Sequence, residues 1–300
     1  MSFPSFEIMA ATLQEVSPVI RVALFFAVWL VLWLPIGIGL FLLARWKLQF
    51  PVPSEQKIPL LLSLYWLAPL LLWAYTHYIE KTSLLIYGLA WNRSFLSSMS
   101  LGVILGLGGI GLLLILKRSL GWVRFSTAAN LTPGSKDTPA LLKLVPPIFA
   151  LALVISWVEE IVFRGFVVNQ LHLADGWIGT VAPWGGYAIA SLLFAVLHLV
   201  WDGPAGIPQL PGLTLMGAVL ILVRWADGGL LGLATGLHAG WIFTLALVDT
   251  LKLVIPVETS PRWLAGKPDQ PLTGLVDIVL LLVTGGLLWG YGQTGAGHLF

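Results

Sequence analysis

The chain has 300 residues, 58% hydrophobic and only 10% charged, with a net charge of +2 and a mean hydropathy of +0.91. That excludes an ordinary soluble domain, in which about a quarter of the residues are charged, and it gives no ground for a nucleic-acid partner. The lack of cysteine excludes disulfides, thiolate metal sites and a cysteine nucleophile.

Residues 1–18 lack a basic start and a small-residue cleavage site, so they are expected to be mature sequence with a short interfacial segment. A bilayer crossing needs about 20 mostly apolar residues. On that rule the predicted spans are residues 20–43, 58–79, 95–116, 146–171, 180–200, 212–226, 229–250 and 273–291. The fold class is therefore an all-α polytopic transmembrane bundle of about eight spans. The short sixth span leaves seven as the other count. Pro59 and Pro147 suit first-turn positions, whereas Pro35 and Pro69 fall inside spans and predict kinks. Gly102 and Gly106 have GxxxG spacing, with Gly109 nearby, which predicts a close helix–helix contact. Trp46, Trp91, Trp122, Trp177, Trp201 and Trp263 stand near span ends, as interface anchors do.

The longest polar break, Lys117 to Lys143, reads as a cytoplasmic loop. The expected organisation is a three-helix membrane part over 1–116, that loop over 117–145, a helical catalytic core over 146–250, and a loop with a last membrane helix over 251–300. With eight spans, the loops rich in Lys and Arg share one side, and the positive-inside rule puts both termini outside. The expected setting is a multi-pass protein of a plasma, inner or organelle membrane.

The stretch SWVEEIVFRGF, Ser156 to Phe166, places Glu159, Glu160 and Arg164 deep in the fourth span. Burying one such charge in hydrocarbon costs from ~2.5 to over 10 kcal/mol, so these residues face the bundle interior and find partners. Glu160 and Arg164 are four residues apart and can pair, while Glu159 is turned about 100° away. The three charges fit either a structural ion-pair cluster or a working site. His198 ends the fifth span and His238 lies in the seventh. Glu159 and two histidines on three spans supply a base, a proton relay and a donor for developing negative charge.

The ordered elements EExxxR at Glu159 to Arg164, FxxxH at Phe194 to His198, and a helix bearing His238 resemble the CAAX protease and bacteriocin-processing family of intramembrane glutamic proteases. The resemblance spans about residues 140–250. It implies an endopeptidase acting on a peptide or membrane-protein substrate in the lipid bilayer, with no cofactor and a metal-free mechanism favoured over zinc. It assigns water activation to Glu159 and His198 and oxyanion stabilisation to His238. Glu160 and Arg164 become a structural ion pair, Phe194 a wall of the site or ordinary core. In the family the third element is often HxxxN. Ile242 stands in the asparagine position here and cannot donate a hydrogen bond, so Trp241 is the candidate helper through its indole N–H. The same departure motivates the alternative, a catalytically inactive scaffold or assembly factor on the same fold. The substrate's identity and the oligomeric state are not legible.

Overall fold

The computed structural model describes residues 4–126, 143–172, 184–267 and 270–294. Trp177 and most of the polar loop between Lys117 and Lys143 lie outside them. In chain order the helices are α1 (Pro4–Glu15), α2 (Pro18–Leu43), α3 (Ser54–Tyr65), α4 (Leu67–Ala74), α5 (Arg93–Ser119), α6 (Val145–His172), α7 (Trp184–Leu197), α8 (Leu210–Ala226), α9 (Gly232–Thr250) and α10 (Leu275–Gln293). The strands β1 (Val123–Phe125) and β2 (Val254–Pro256) form one antiparallel pair. Seven stretches are long and apolar enough to cross a membrane, so this is an all-α, multi-pass integral membrane protein. One of the seven, Trp184–Ala226, runs for 43 residues. At 1.5 Å per residue a straight helix of that length would span roughly 65 Å, about twice the ~30 Å hydrocarbon core. It is instead interrupted between α7 and α8 by Gly203, with φ +57°, and by a 3-10 segment containing Pro204 and Pro208.

Local chemistry sets the ends of these helices. Ser17 accepts from the Ile20 N–H beside Pro18, and Asn92 accepts from the Phe95 N–H at 2.9 Å. Lys117 and Arg118 close α5, where the helix dipole favours positive charge. Pro69 produces the break the sequence predicts. It has no N–H for the Tyr65 carbonyl and its ring crowds that oxygen, so the helix is interrupted at Trp66, between α3 and α4. One proline expectation fails: Pro59 lies inside α3, which starts five residues earlier at Ser54. Pro35 lies inside α2, which does not end there.

The chain divides into two compact units, residues 1–90 with 158–207 and residues 91–157 with 208–300. In the first, α2 lays an aromatic edge against α6 and α3. The Phe25 ring lies 4.7 Å from Phe166, Phe26 6.1 Å from Phe163, and Trp29 6.3 Å from Tyr65. Trp29 and Trp33 donate their indole N–H groups to the Leu64 carbonyl and the Ser63 hydroxyl of α3. The end of α1 is tied to α4's extension by a bond from Gln14 to the Ile79 carbonyl.

In the second unit α5 and α9 are in backbone contact. Gly102 and Gly106 meet Leu233 and Leu237, while Gly232, Gly236 and Gly240 meet Phe95, Met99 and Val103. Small residues permit that approach. The expected GxxxG pair on α5 is thus used, and its partner stripe on α9 was not foreseen. Gly109 has open space where a side chain would stand and takes no part. The loops after α5 and α9 are joined by β1 and β2, and Lys117 reaches the Ala265 carbonyl and the Asp277 carboxylate, the latter at 2.6 Å. Asp277 is buried and paired.

Candidate active site

The acidic motif sits on a change of helix type. α6 is α-helical to Glu159, a π-helix from Glu160 to Val167, and α-helical again to His172. Single π turns inside α-helices are frequent at functional sites. The wider turn means that the 100° step assumed between Glu159 and Glu160 does not hold beyond Glu159. The expected pair does form: Arg164 Nη1 donates to Glu160 Oε1 at 2.9 Å, with both side chains all but fully buried. The Arg164 guanidinium also lies 4.2 Å from the centre of the Phe194 ring.

Phe194 links that cation to the histidine one turn later. Its ring stands edge-on to the His198 ring with centroids 4.7 Å apart. At the end of α7 the His198 N–H has moved to the Ala195 carbonyl, and His198 Nδ1 lies 2.8 Å from the Phe194 carbonyl oxygen. A carbonyl only accepts, so Nδ1 carries the proton, and Nε2 is the nitrogen able to receive one. The turn after His198 is braced from α3. Asp202 pairs with Lys57 at 3.2 Å, and the Val52 N–H donates to the Trp201 carbonyl.

Glu159 is buried, at 8% exposure, and Tyr65 donates its hydroxyl to Glu159 Oε1 at 2.5 Å. The sequence reading did not include Tyr65. The available signal was a tyrosine inside a span four residues before a proline. A second, half-buried acid cluster also escaped it. Glu80 accepts from Tyr87 at 2.7 Å and from Gln170 at 2.8 Å. Gln170 is fully buried. Burial and the neighbouring Glu80 carboxylate both push the Tyr87 hydroxyl above its usual range, so it remains a donor.

His238 and Trp241 belong to the second unit, on α9, where both are buried, His238 between Gly236 and Gly240 and Trp241 directly after Gly240. Ile242 follows on the same helix, half-buried. Among the described residues, no three His, Asp or Glu side chains form a group that could hold a metal ion.

Residues 141–244 match the family model described as type II CAAX prenyl endopeptidase Rce1-like. The match, confined to that segment, supports the CAAX protease family that the motifs resemble. At the level of that family, the match supports a CAAX-type intramembrane endopeptidase. No curated protein and no solved structure matches the chain. The matched CAAX protease segment holds Glu159, Glu160, Arg164, Phe194, His198, His238 and Trp241, while Tyr65 and Lys57 lie outside it.

Proposed function

We propose that the protein hydrolyses peptide bonds of a peptide or membrane-protein substrate through a water activated by Glu159 and His198. The observation that carries this reading is the family match, which falls on the one segment containing the acidic motif and both span histidines. Two local features support it. The Glu159 carboxylate is buried and held by a hydroxyl donor, and His198 has its protonated nitrogen committed to the Phe194 carbonyl. In this scheme Glu159, with His198 Nε2, takes a proton from the attacking water, and the proton later passes to the leaving amine. The resemblance gives His238 the oxyanion, with Trp241 as helper. Loss of one such donor lowers the rate ~100–1000-fold. Glu160 and Arg164 keep a structural part: they fix the rotation of α6 and, through Phe194, the His198 ring. The reaction is written without a metal or cofactor because these side chains can perform the proton transfers themselves.

The purified chain in detergent, offered a panel of peptides with and without a farnesylated CAAX tail, tests the reading. Wild type is expected to cleave a member of the panel. Glu159→Gln and His198→Ala are expected to lose at least ~100-fold in kcat while accumulating normally.

Ile242 in the asparagine position favours a second reading, a scaffold that has lost turnover. Full rescue of a deletion phenotype by Glu159→Gln, with no cleavage by wild type, selects the scaffold.

A further inference from the structure

The first compact unit places part of the control of Glu159 outside the matched segment. We propose that Tyr65 is the positioning residue of the Glu159 carboxylate, and that α2 and α3 are the frame that holds it. The proposal rests on the reading of Glu159 as the base that activates water.

Tyr65 donates to Glu159 Oε1 at 2.5 Å, and both side chains are buried. A carboxylate on a glutamate side chain has three torsions to lose. A short charge-assisted bond from a fixed phenol restricts the last of them and holds the plane of the two oxygens. The phenol is itself fixed from two directions. Its ring packs against Trp29 of α2, and Trp29 donates to the Leu64 carbonyl beside it at 2.9 Å. Its backbone sits at the break imposed by Pro69, at the last residue of α3. A tyrosine one position earlier or later on a regular helix would turn its side chain about 100° away.

The same helix reaches the second proposed group. Lys57, eight residues before Tyr65, pairs with Asp202, whose N–H donates to the His198 carbonyl. α3 therefore touches the Glu159 carboxylate at one end and the His198 turn at the other. Half-exposed Lys57 contributes orientation more than stability. The buried Tyr65 bond is the tie whose loss is felt.

Tyr65→Phe removes one oxygen and keeps the ring on Trp29. The expected result is a kcat lower by about 10- to 100-fold with KM little changed, as for a misplaced reacting group. Tyr87→Phe is the matched control. It takes a hydroxyl from another carboxylate, half-buried Glu80, and is expected to leave kcat unchanged. In the Glu159→Gln background, adding Tyr65→Phe is expected to cost nothing further, since no carboxylate remains to be aimed. The probe is a fluorogenic peptide with a farnesylated CAAX tail, with the unfarnesylated peptide in parallel. A Tyr65→Phe protein with wild-type kcat and KM, alongside an inactive Glu159→Gln, overturns the role of Tyr65 and leaves the site reading standing. An active Glu159→Gln, or a wild type that cleaves neither peptide, overturns the site reading and with it the role built on it. A thermal double-mutant cycle between the two positions then still decides the bond. Additive losses of stability show that Tyr65 and Glu159 do not interact in the folded protein.

Discussion

At the scale of single residues, two buried charges have measurable consequences. Arg164 is enclosed by Glu160 and the Phe194 ring. Removing one member of a buried pair costs about 3–5 kcal/mol, because the other is left charged without it. Arg164→Met is expected to lower the melting temperature sharply in detergent, and Arg164→Met with Glu160→Gln to recover part of that loss. Asp227, in the turn between α8 and α9, is a different case. Its carboxylate accepts from the Leu233 N–H at 2.9 Å and caps α9. Burial nevertheless lifts its pKa from 3.8 to about 6, against the smaller lowering effects of Leu233 and Ser98. The folded chain thus holds a proton that the unfolded chain releases between those two values. The stabilisation is complete below the unfolded value and disappears as pH rises through about 6, a difference of about 3 kcal/mol at most. Wild type is expected to melt higher near pH 5 than near pH 7 on this account. Asp227→Asn, which can still accept from Leu233, is expected to flatten that dependence.

At the scale of elements, the contact between α5 and α9 is the most demanding one. A methyl group on Gly236 would lie 1.9 Å from the Met99 carbonyl oxygen, and one on Gly102 2.4 Å from that of Leu233. Backbone cannot yield as a side-chain tip can. Gly236→Ala is expected to cost about 3 kcal/mol, the upper end for overpacking, read as a lower melting temperature. Gly109→Ala, with open space around it, is expected to be neutral or to gain up to about 1 kcal/mol from helix propensity. The three glycines of GLATGLHAG carry the same spacing as Gly102 and Gly106, so this seam was legible in the sequence once the pairing of the helices was known. The π turn at Glu160–Val167 was not. Its hydrogen bonds shift by one residue, and no local propensity marks them.

At the scale of the whole molecule, the number of crossings follows from direction. Along the seam of α5 and α9 residue numbers rise together, and the loops that follow these helices are joined by β1 and β2. Both helices therefore end on the same side of the membrane. If α6 crosses once between them, the 43 residues of Trp184–Ala226 must return to the side they left, which two crossings by α7 and α8 accomplish. That gives eight crossings and both termini on one side. The chain has no cysteine, so single cysteines can be labelled without background. A membrane-impermeant maleimide is expected to reach Glu15→Cys and Thr294→Cys from one side, and Ser119→Cys and Thr259→Cys from the other. Labelling of Glu15→Cys and Thr294→Cys from opposite sides refutes the count.

Hydrophobicity alone located the apolar stretches, because the cost of exposing apolar surface and of burying charge is paid locally, residue by residue; among the described residues seven stretches are long and apolar enough to cross a membrane, and the fifth and sixth predicted segments fall in one of them, the interrupted Trp184–Ala226. The same reasoning exposed Glu159, Glu160, Arg164, His198 and His238, since ionisable groups at such depth stand out against the apolar pattern around them. Only the tertiary structure decided what holds them. The Tyr65 hydroxyl on Glu159, the Phe194 ring between Arg164 and His198, and the Lys57 brace on Asp202 join residues far apart in the chain. Such pairings depend on which faces of which helices meet, and a periodic apolar pattern specifies a face without naming its partner.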